Sequence, residues 1–281
     1  MVVSAWVQIT RPVNCFFAAF AGILATIIAT GTITPSVWYV FFIILLVTGA
    51  GNVINDYYDA EIDAINQPQR PIPSGKINRK SALCYAIILF LAGIILAYLS
   101  APAALTGIAV INSIILWLYA AYLKSTPIFG NIAVSYLTSS IFIFGGAIQG
   151  ISGIISLLPI TGATFGVILA RELVKDAEDM PGDKACGART IPVLYGVQKT
   201  LILAMFCAIA GIIISLLLFQ RWGIYYLIAI AIPDLIIFYG AIKGVRNTSA
   251  EQVINSKSSK ILKTGMFLSL LIFLLSAVIL G

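Results

Sequence analysis

Nine stretches of the chain are almost uninterrupted in apolar residues: roughly 13–30, 37–54, 82–99, 103–122, 131–149, 154–173, 201–219, 223–242 and 262–280. A helix needs about 20 such residues to cross the hydrocarbon core of a bilayer. The pattern therefore predicts an all-α, polytopic membrane protein of about nine transmembrane helices. Only Ser100-Ala101-Pro102 separates the third and fourth runs, which predicts a tight hairpin. Gln149-Gly150-Ile151-Ser152-Gly153 reads as a Gly/Ser break, covering residues 149–156, between the fifth and sixth.

Composition agrees with the pattern. Of the 281 residues, 60% are hydrophobic and only 10% charged, against about 25% charged in soluble domains. One membrane domain is expected to use the whole length. The first apolar run follows Arg11-Pro12, is too long for the core of a secretory signal, and lacks a cleavage site. The segment Met1 to Thr10, with Trp6, is expected at the membrane interface. Cys15, Cys84, Cys186 and Cys207 show no metal-binding spacing and read as small apolar residues. Histidine is absent, which removes the commonest zinc ligand and the usual general base. Catalysis would have to rest on carboxylates, Lys, Arg, Tyr and a bound ion.

Charge then orients the bundle. With nine spans, every Lys and Arg except Arg221 falls on the N-terminal side of the membrane. Basic residues favour the cytoplasm, so the N-terminus is predicted inside and the C-terminus outside. All acidic residues except Asp234 lie on the same inner side. Most of them gather in two long connections, about 55–81 and 174–200, and long polar connections tend to carry function.

Those two connections share a spacing. Asp56, Asp59 and Asp63 form D-x-x-D-x-x-x-D, and so do Asp176, Asp179 and Asp183. At about 100° per residue, positions i, i+3 and i+7 fall within about 60° of one another. If each helix continues past its apolar run, three carboxylates line one stripe. Pro181-Gly182 is expected to end the second helix before Asp183. Crowded carboxylates repel unless a cation sits among them, and hard oxygen ligands suit Mg²⁺, which bridges protein carboxylates to substrate phosphates. The alternative is a set of solvated, salt-bridged surface acids; the repeat of spacing, side and helix-end position favours the metal–diphosphate reading.

Basic residues interleave both clusters. Arg70, Lys175 and Arg189 are the candidates to face phosphate, whereas Arg79 and Lys80 read as topology signals. Tyr122 and Lys124 lie in a short inner connection near the same mouth. Asp234, after Pro233, is the lone acid inside an apolar run. An acid within a span is commonly functional, a satisfied structural role reads at least as well, and Asp234 is left out of the site.

The motifs N-D-x-x-D-x-x-x-D at Asn55 to Asp63 and K-D-x-x-D-x-x-G-D at Lys175 to Asp183, with Arg70-Pro71-Ile72-Pro73-Ser74-Gly75 after the first, resemble the UbiA superfamily of intramembrane prenyltransferases. The resemblance covers nearly the whole chain. Within the superfamily, Arg171 to Asp183 followed by Arg189-Thr190-Ile191-Pro192 is most similar to the branch of archaeal digeranylgeranylglyceryl phosphate synthases; Tyr122-Leu-Lys124 and Gly130-Asn131 are compatible with it. Pro181 departs from the pattern and leaves the placement of Asp183 open.

The resemblance implies a single helical bundle with a central apolar cavity capped by cytoplasmic loops. It implies transfer of a geranylgeranyl group from its diphosphate to the free hydroxyl of geranylgeranylglyceryl phosphate, forming the second ether bond of archaeal lipid. Asn55, Asp56, Asp59 and Asp63 would hold one Mg²⁺, and Asp176, Asp179 and Asp183 another. Asn52, Asn55, Arg70, Tyr122, Lys124, Lys175 and Arg189 would bind substrate, with Arg11, Lys124 and Arg171 spare for the phosphate of the acceptor. Membrane lipids are the expected surroundings; no nucleic acid or obligate protein partner is implied. Two alternatives stay open: a sibling prenyltransferase acting on an aromatic ring, and a cation transporter.

Overall fold

A computed structural model describes residues 2–100, 102–185 and 187–280, without the side chains of Val2 and Val3. Ala101 of the expected hairpin and Cys186 lie outside the described residues, as do Met1 and Gly281. The helices are α1 (Val2–Ile9), α2 (Pro12–Thr30), α3 (Val37–Asn66), α4 (Arg79–Leu99), α5 (Ala103–Ala121), α6 (Phe129–Ala147), α7 (Gly150–Ala185), α8 (Ile191–Tyr195), α9 (Val197–Leu216), α10 (Phe219–Val245), α11 (Ala250–Ser256) and α12 (Ser258–Ile279). A 3₁₀ turn covers Leu123–Ser125, and no strand occurs among the described residues. Nine of these helices, α2 to α7 with α9, α10 and α12, are long and apolar enough to cross a membrane.

Two spans outrun their apolar stretches. α3 has 30 residues and α7 has 36, or about 45 and about 54 Å at 1.5 Å per residue, against a hydrocarbon core of about 30 Å. The surplus is helix, so much of what the sequence suggested as long loops is helical extension carrying the carboxylates.

α7 corrects two expectations. The Gly/Ser break is confined to the two residues between Ala147 and Gly150, and residues 150–156 are helical. Gly150, at φ 73°, opens the helix, whereas Gly153 lies inside it and permits close approach. A Cβ on Gly153 would meet the carbonyl oxygen of Gly146 at 2.1 Å. At the other end α7 runs through Pro181 and Gly182 to Ala185. Proline's fixed φ is compatible with a helix; it deletes one hydrogen bond and crowds the preceding turn, at about 3 kcal/mol. Contacts at the helix end offset this: the Ala188 amide donates to the Asp183 carbonyl at 2.9 Å, and the Thr190 hydroxyl to its carboxylate at 3.0 Å.

The chain forms two compact units, residues 1–122 with 143–155, and residues 123–142 with 156–281. In the first, α3 is central and packs against α1, α2, α4 and α5. Gly22 admits Val40 and Ile44, and Gly93 admits Val47. In the second, α10 packs against α9 and α12, around a core that includes Leu173, Ala177, Leu201, Ala204, Ile237 and Leu262. Gly166 and Gly211 bring the backbones of α7 and α9 together there, as small residues do where helices pack inside lipid. Asp234 is buried in this unit, where the Ser215 hydroxyl bonds its carboxylate at 2.9 Å and the Tyr226 hydroxyl donates to the Ser215 carbonyl at 2.8 Å.

Candidate functional site

The first carboxylate cluster lies on the extension of α3. Asp56 and Asp63 are buried, and Asn55 and Asp59 half-buried. Arg11 reaches Asp56 Oδ1 from 45 residues away, its Nη2 at 2.6 Å. Arg70 spans both buried acids, with Nη1 at 3.3 Å from Asp56 Oδ1 and 2.5 Å from Asp63 Oδ2. Its Nε donates to Gln67 Oε1 at 2.9 Å, which fixes the plane of the guanidinium. Asn55 donates to Asp59 Oδ2 at 2.9 Å. Buried carboxylates cost several kcal/mol unless paired, and two arginines meet that need here.

The backbone around both arginines is shaped to hold them. Arg11 sits in the left-handed region, φ 52° and ψ 65°, just before Pro12 opens α2. A non-glycine residue there stores about 1–3 kcal/mol of strain and marks functional positions. Asn52 braces it, its side-chain amide donating to the Thr10 carbonyl at 2.8 Å. The tract after Arg70 folds back on itself: the Ser74 amide reaches the Arg70 carbonyl and the Ile77 amide reaches that of Pro71, each at 3.0 Å. Arg79 stands apart, bonded to exposed Glu61 at 3.0 Å and stacked over Tyr57.

The second cluster lies on the extension of α7, in the second unit. Asn131 donates to Asp176 Oδ2 at 2.8 Å. Asp183 takes the Thr190 hydroxyl, and Asp179 is exposed. Lys175 and Arg189 are exposed and form no ion pair among the described residues. Arg171 bonds Glu172 at 2.5 Å, while its Nε is buried without a partner. Lys124, half-buried, lies in the 3₁₀ turn, just after exposed Tyr122. Asn131 was visible in sequence only as part of Gly130-Asn131; its role comes from the start of α6. There Ile128 adopts φ 62°, and Gly130 lies so close to the Leu123 carbonyl that a Cβ would approach it at 2.8 Å.

Among the described residues, no three His, Cys, Asp or Glu side chains converge into a ready-made metal cage. The donor set nonetheless fits Mg²⁺. Mg²⁺ is held by one or two carboxylates with waters and substrate phosphate, not by an all-protein cage. Each stripe supplies oxygen donors of that kind, and the adjacent Arg and Lys suit phosphate oxygens. Asn131→Ala should lower apparent Mg²⁺ affinity about 10–100-fold, with kcat at saturating Mg²⁺ reduced less. An unchanged Mg²⁺ dependence in a prenyl-transfer assay would leave Asn131 a purely structural residue.

The sequence profile of the UbiA prenyltransferase family matches residues 15–278. The chain belongs to the UbiA prenyltransferase family. It is 62% identical over 99% of both chains to a digeranylgeranylglyceryl phosphate synthase of Methanospirillum hungatei, and 48% identical to that of Methanoculleus marisnigri over 99% of this chain and 100% of the relative. A solved digeranylgeranylglyceryl phosphate synthase structure, 36% identical, superposes with a TM-score of 0.90 over 99% of each chain. A UbiA homolog from Archaeoglobus fulgidus bound to GPP and Mg²⁺ is similar in fold alone, at 17% identity and a TM-score of 0.67, covering 96% of this chain and 99% of that one. In this UbiA prenyltransferase the two motif segments read from sequence are both helical, and the cation transporter alternative gives way to an enzyme.

Proposed function

We propose that this UbiA prenyltransferase transfers a geranylgeranyl group from geranylgeranyl diphosphate to the free glycerol hydroxyl of geranylgeranylglyceryl phosphate, releasing diphosphate. The reading rests on full-length similarity to relatives named digeranylgeranylglyceryl phosphate synthase. The bond from C1 of the prenyl chain to the diphosphate oxygen breaks, and an ether bond from C1 to the glycerol oxygen forms. An aliphatic alcohol is a weak nucleophile, so departure of the diphosphate leads. The hydroxyl proton passes to a carboxylate or to the released diphosphate, since the chain has no histidine.

Asn55, Asp56, Asp59 and Asp63 would hold one Mg²⁺, and Asp176, Asp179 and Asp183 another. Bound there, the ions supply Lewis-acid neutralisation of the leaving group. Arg70, Lys175 and Arg189 would supply positive charge to the diphosphate as it leaves, the kind of preorganised electrostatics that dominates such reactions. Arg11, Lys124 and Arg171 receive the phosphate of the acceptor. Asn52, through Thr10, keeps Arg11 in place. The apolar spans receive the C20 chain, each buried CH₂ contributing about 0.8 kcal/mol, and exclude water from the allylic cation. The preference of basic residues for the cytoplasm supports an orientation in the cell membrane with the N-terminus and the motif segments inside and the C-terminus outside.

Purified protein given labelled geranylgeranyl diphosphate and Mg²⁺ should form product with geranylgeranylglyceryl phosphate, lose it on EDTA treatment, and form none with 4-hydroxybenzoate. Product with the aromatic acid alone would keep the family chemistry and overturn the acceptor.

A further inference from the structure

On the first unit lies a groove of ≈ 380 Å³ lined by Trp6, Lys80, Ser81, Cys84, Tyr85 and Ile88, none of them a member of either carboxylate cluster. The five residues from α4 recur every four positions and so form one stripe, about 12 Å long at 1.5 Å per residue. α1 supplies the other wall, where Trp6 meets Tyr85 edge to face with ring centroids 5.1 Å apart.

The stripe is graded. Lys80 and Ser81 occupy the first turn of α4, where backbone N–H groups also favour negative charge. Cys84, Tyr85 and Ile88 continue towards the apolar body of the same span. No carboxylate lines the groove. The Lys80 ammonium, the Ser81 and Tyr85 hydroxyls and the Trp6 indole N–H are all donors, and none has a partner among the described residues. Arg79, one residue earlier, is by contrast already bound to Glu61 and stacked on Tyr57.

We infer that this groove binds a bilayer lipid with an anionic phosphate headgroup. The headgroup lies at Lys80 and Ser81, and one hydrocarbon chain runs along Tyr85 and Ile88. A set of donors without an acceptor carboxylate selects an anion. The start of a membrane span, flanked by Trp and Tyr, is at headgroup depth. A water-soluble anion would satisfy Lys80 and leave the apolar half of the groove bare, and a zwitterionic lipid would bring a second cation to Lys80. The site is independent of the prenyl-transfer chemistry, in which Lys80 has no part.

Delipidated full-length protein in detergent should retain phosphatidylglycerol in preference to phosphatidylcholine of matched chains when titrated by native mass spectrometry. Lys80→Gln should weaken phosphatidylglycerol about fivefold and Lys80→Glu more, with phosphatidylcholine and the melting temperature unmoved. Phosphatidylglycerol with brominated chains should quench wild-type fluorescence more than that of Trp6→Phe. Equal affinity for the two lipids, indifference to Lys80→Glu, equal quenching in Trp6→Phe, or displacement by glycerol phosphate at the concentration at which the lipid binds would each overturn the assignment.

Discussion

Asp56→Ala is expected to lower prenyl transfer by about 10²–10³-fold, the usual effect of deleting one member of a preorganised electrostatic site. Asp56 is the acid on which Arg11 and Arg70 converge, at 2.6 and 3.3 Å on the same oxygen. Its removal takes a donor from the proposed metal site, releases Arg11 from its ion pair and leaves Arg70 held by Asp63 and Gln67 alone. The stability effect should be much smaller. The side chains of Arg11 and Arg70 keep 33% and 22% of their exposure, so water can solvate what Asp56 leaves behind, and Arg70 retains Asp63 at 2.5 Å. Asp56→Asn keeps the shape and loses the charge, and should be nearly as impaired. Glu61→Gln breaks the exposed pair with Arg79, worth about 0–1 kcal/mol, and should leave turnover alone. Initial rates with labelled geranylgeranyl diphosphate, alongside thermal unfolding of the same preparations, check this. Wild-type rates in Asp56→Ala would remove the first stripe from the site.

Much of this arrangement was legible in the chain because lipid imposes simple rules. The nine spans follow from uninterrupted apolar runs, and the stripe of Asp56, Asp59 and Asp63 from helical spacing. What the sequence withheld was mostly tertiary pairing. Nothing in the order of residues joins Arg11 to Asp56 or Asn131 to Asp176, each pair 45 positions apart. Arg11 read as a spare cation; the left-handed backbone that aims it at Asp56 is a conformation its residue type disfavours, so no propensity announces it. Local signals misled where packing overrode them. Pro181-Gly182 is a standard stop, yet α7 continues to Ala185, with Asp183 inside the helix and bonded by the Thr190 hydroxyl and the Ala188 amide. Gly150 and Gly153 read as a break, whereas Gly153 serves contact with Gly146.

That use of glycine sets the largest expected stability change. Gly145→Leu should destabilise the first unit, by about 1–3 kcal/mol, lowering the melting temperature by about 2–12 °C at the size scaling for large domains. Gly145 lies on α6 where it meets α2. A Cβ built there falls 2.4 Å from the carbonyl carbon of Ala25, 2.6 Å from its Cβ and 2.7 Å from its oxygen. Two of those atoms are backbone, so no rotamer change relieves the clash, and α2 and α6 must separate. Inside lipid that separation is costly, because helices there associate through close packing and have no hydrophobic drive to fall back on. Even Gly145→Ala introduces the offending carbon. Gly51 shows the difference: the nearest atoms to its Cβ would be those of the Leu116 side chain, from 2.7 Å, which can rotate away. Gly107 is the control, since nothing lies within 4 Å of a Cβ there, and Gly107→Ala should stabilise α5 by about 0.5–1 kcal/mol. Thermal unfolding in detergent, with size-exclusion profiles of all four variants, should rank Gly145→Leu lowest, then Gly145→Ala, then Gly51→Ala, with Gly107→Ala at or above wild type. A Gly145→Leu protein that melts with the wild type would show that α2 and α6 are not in backbone contact at this position.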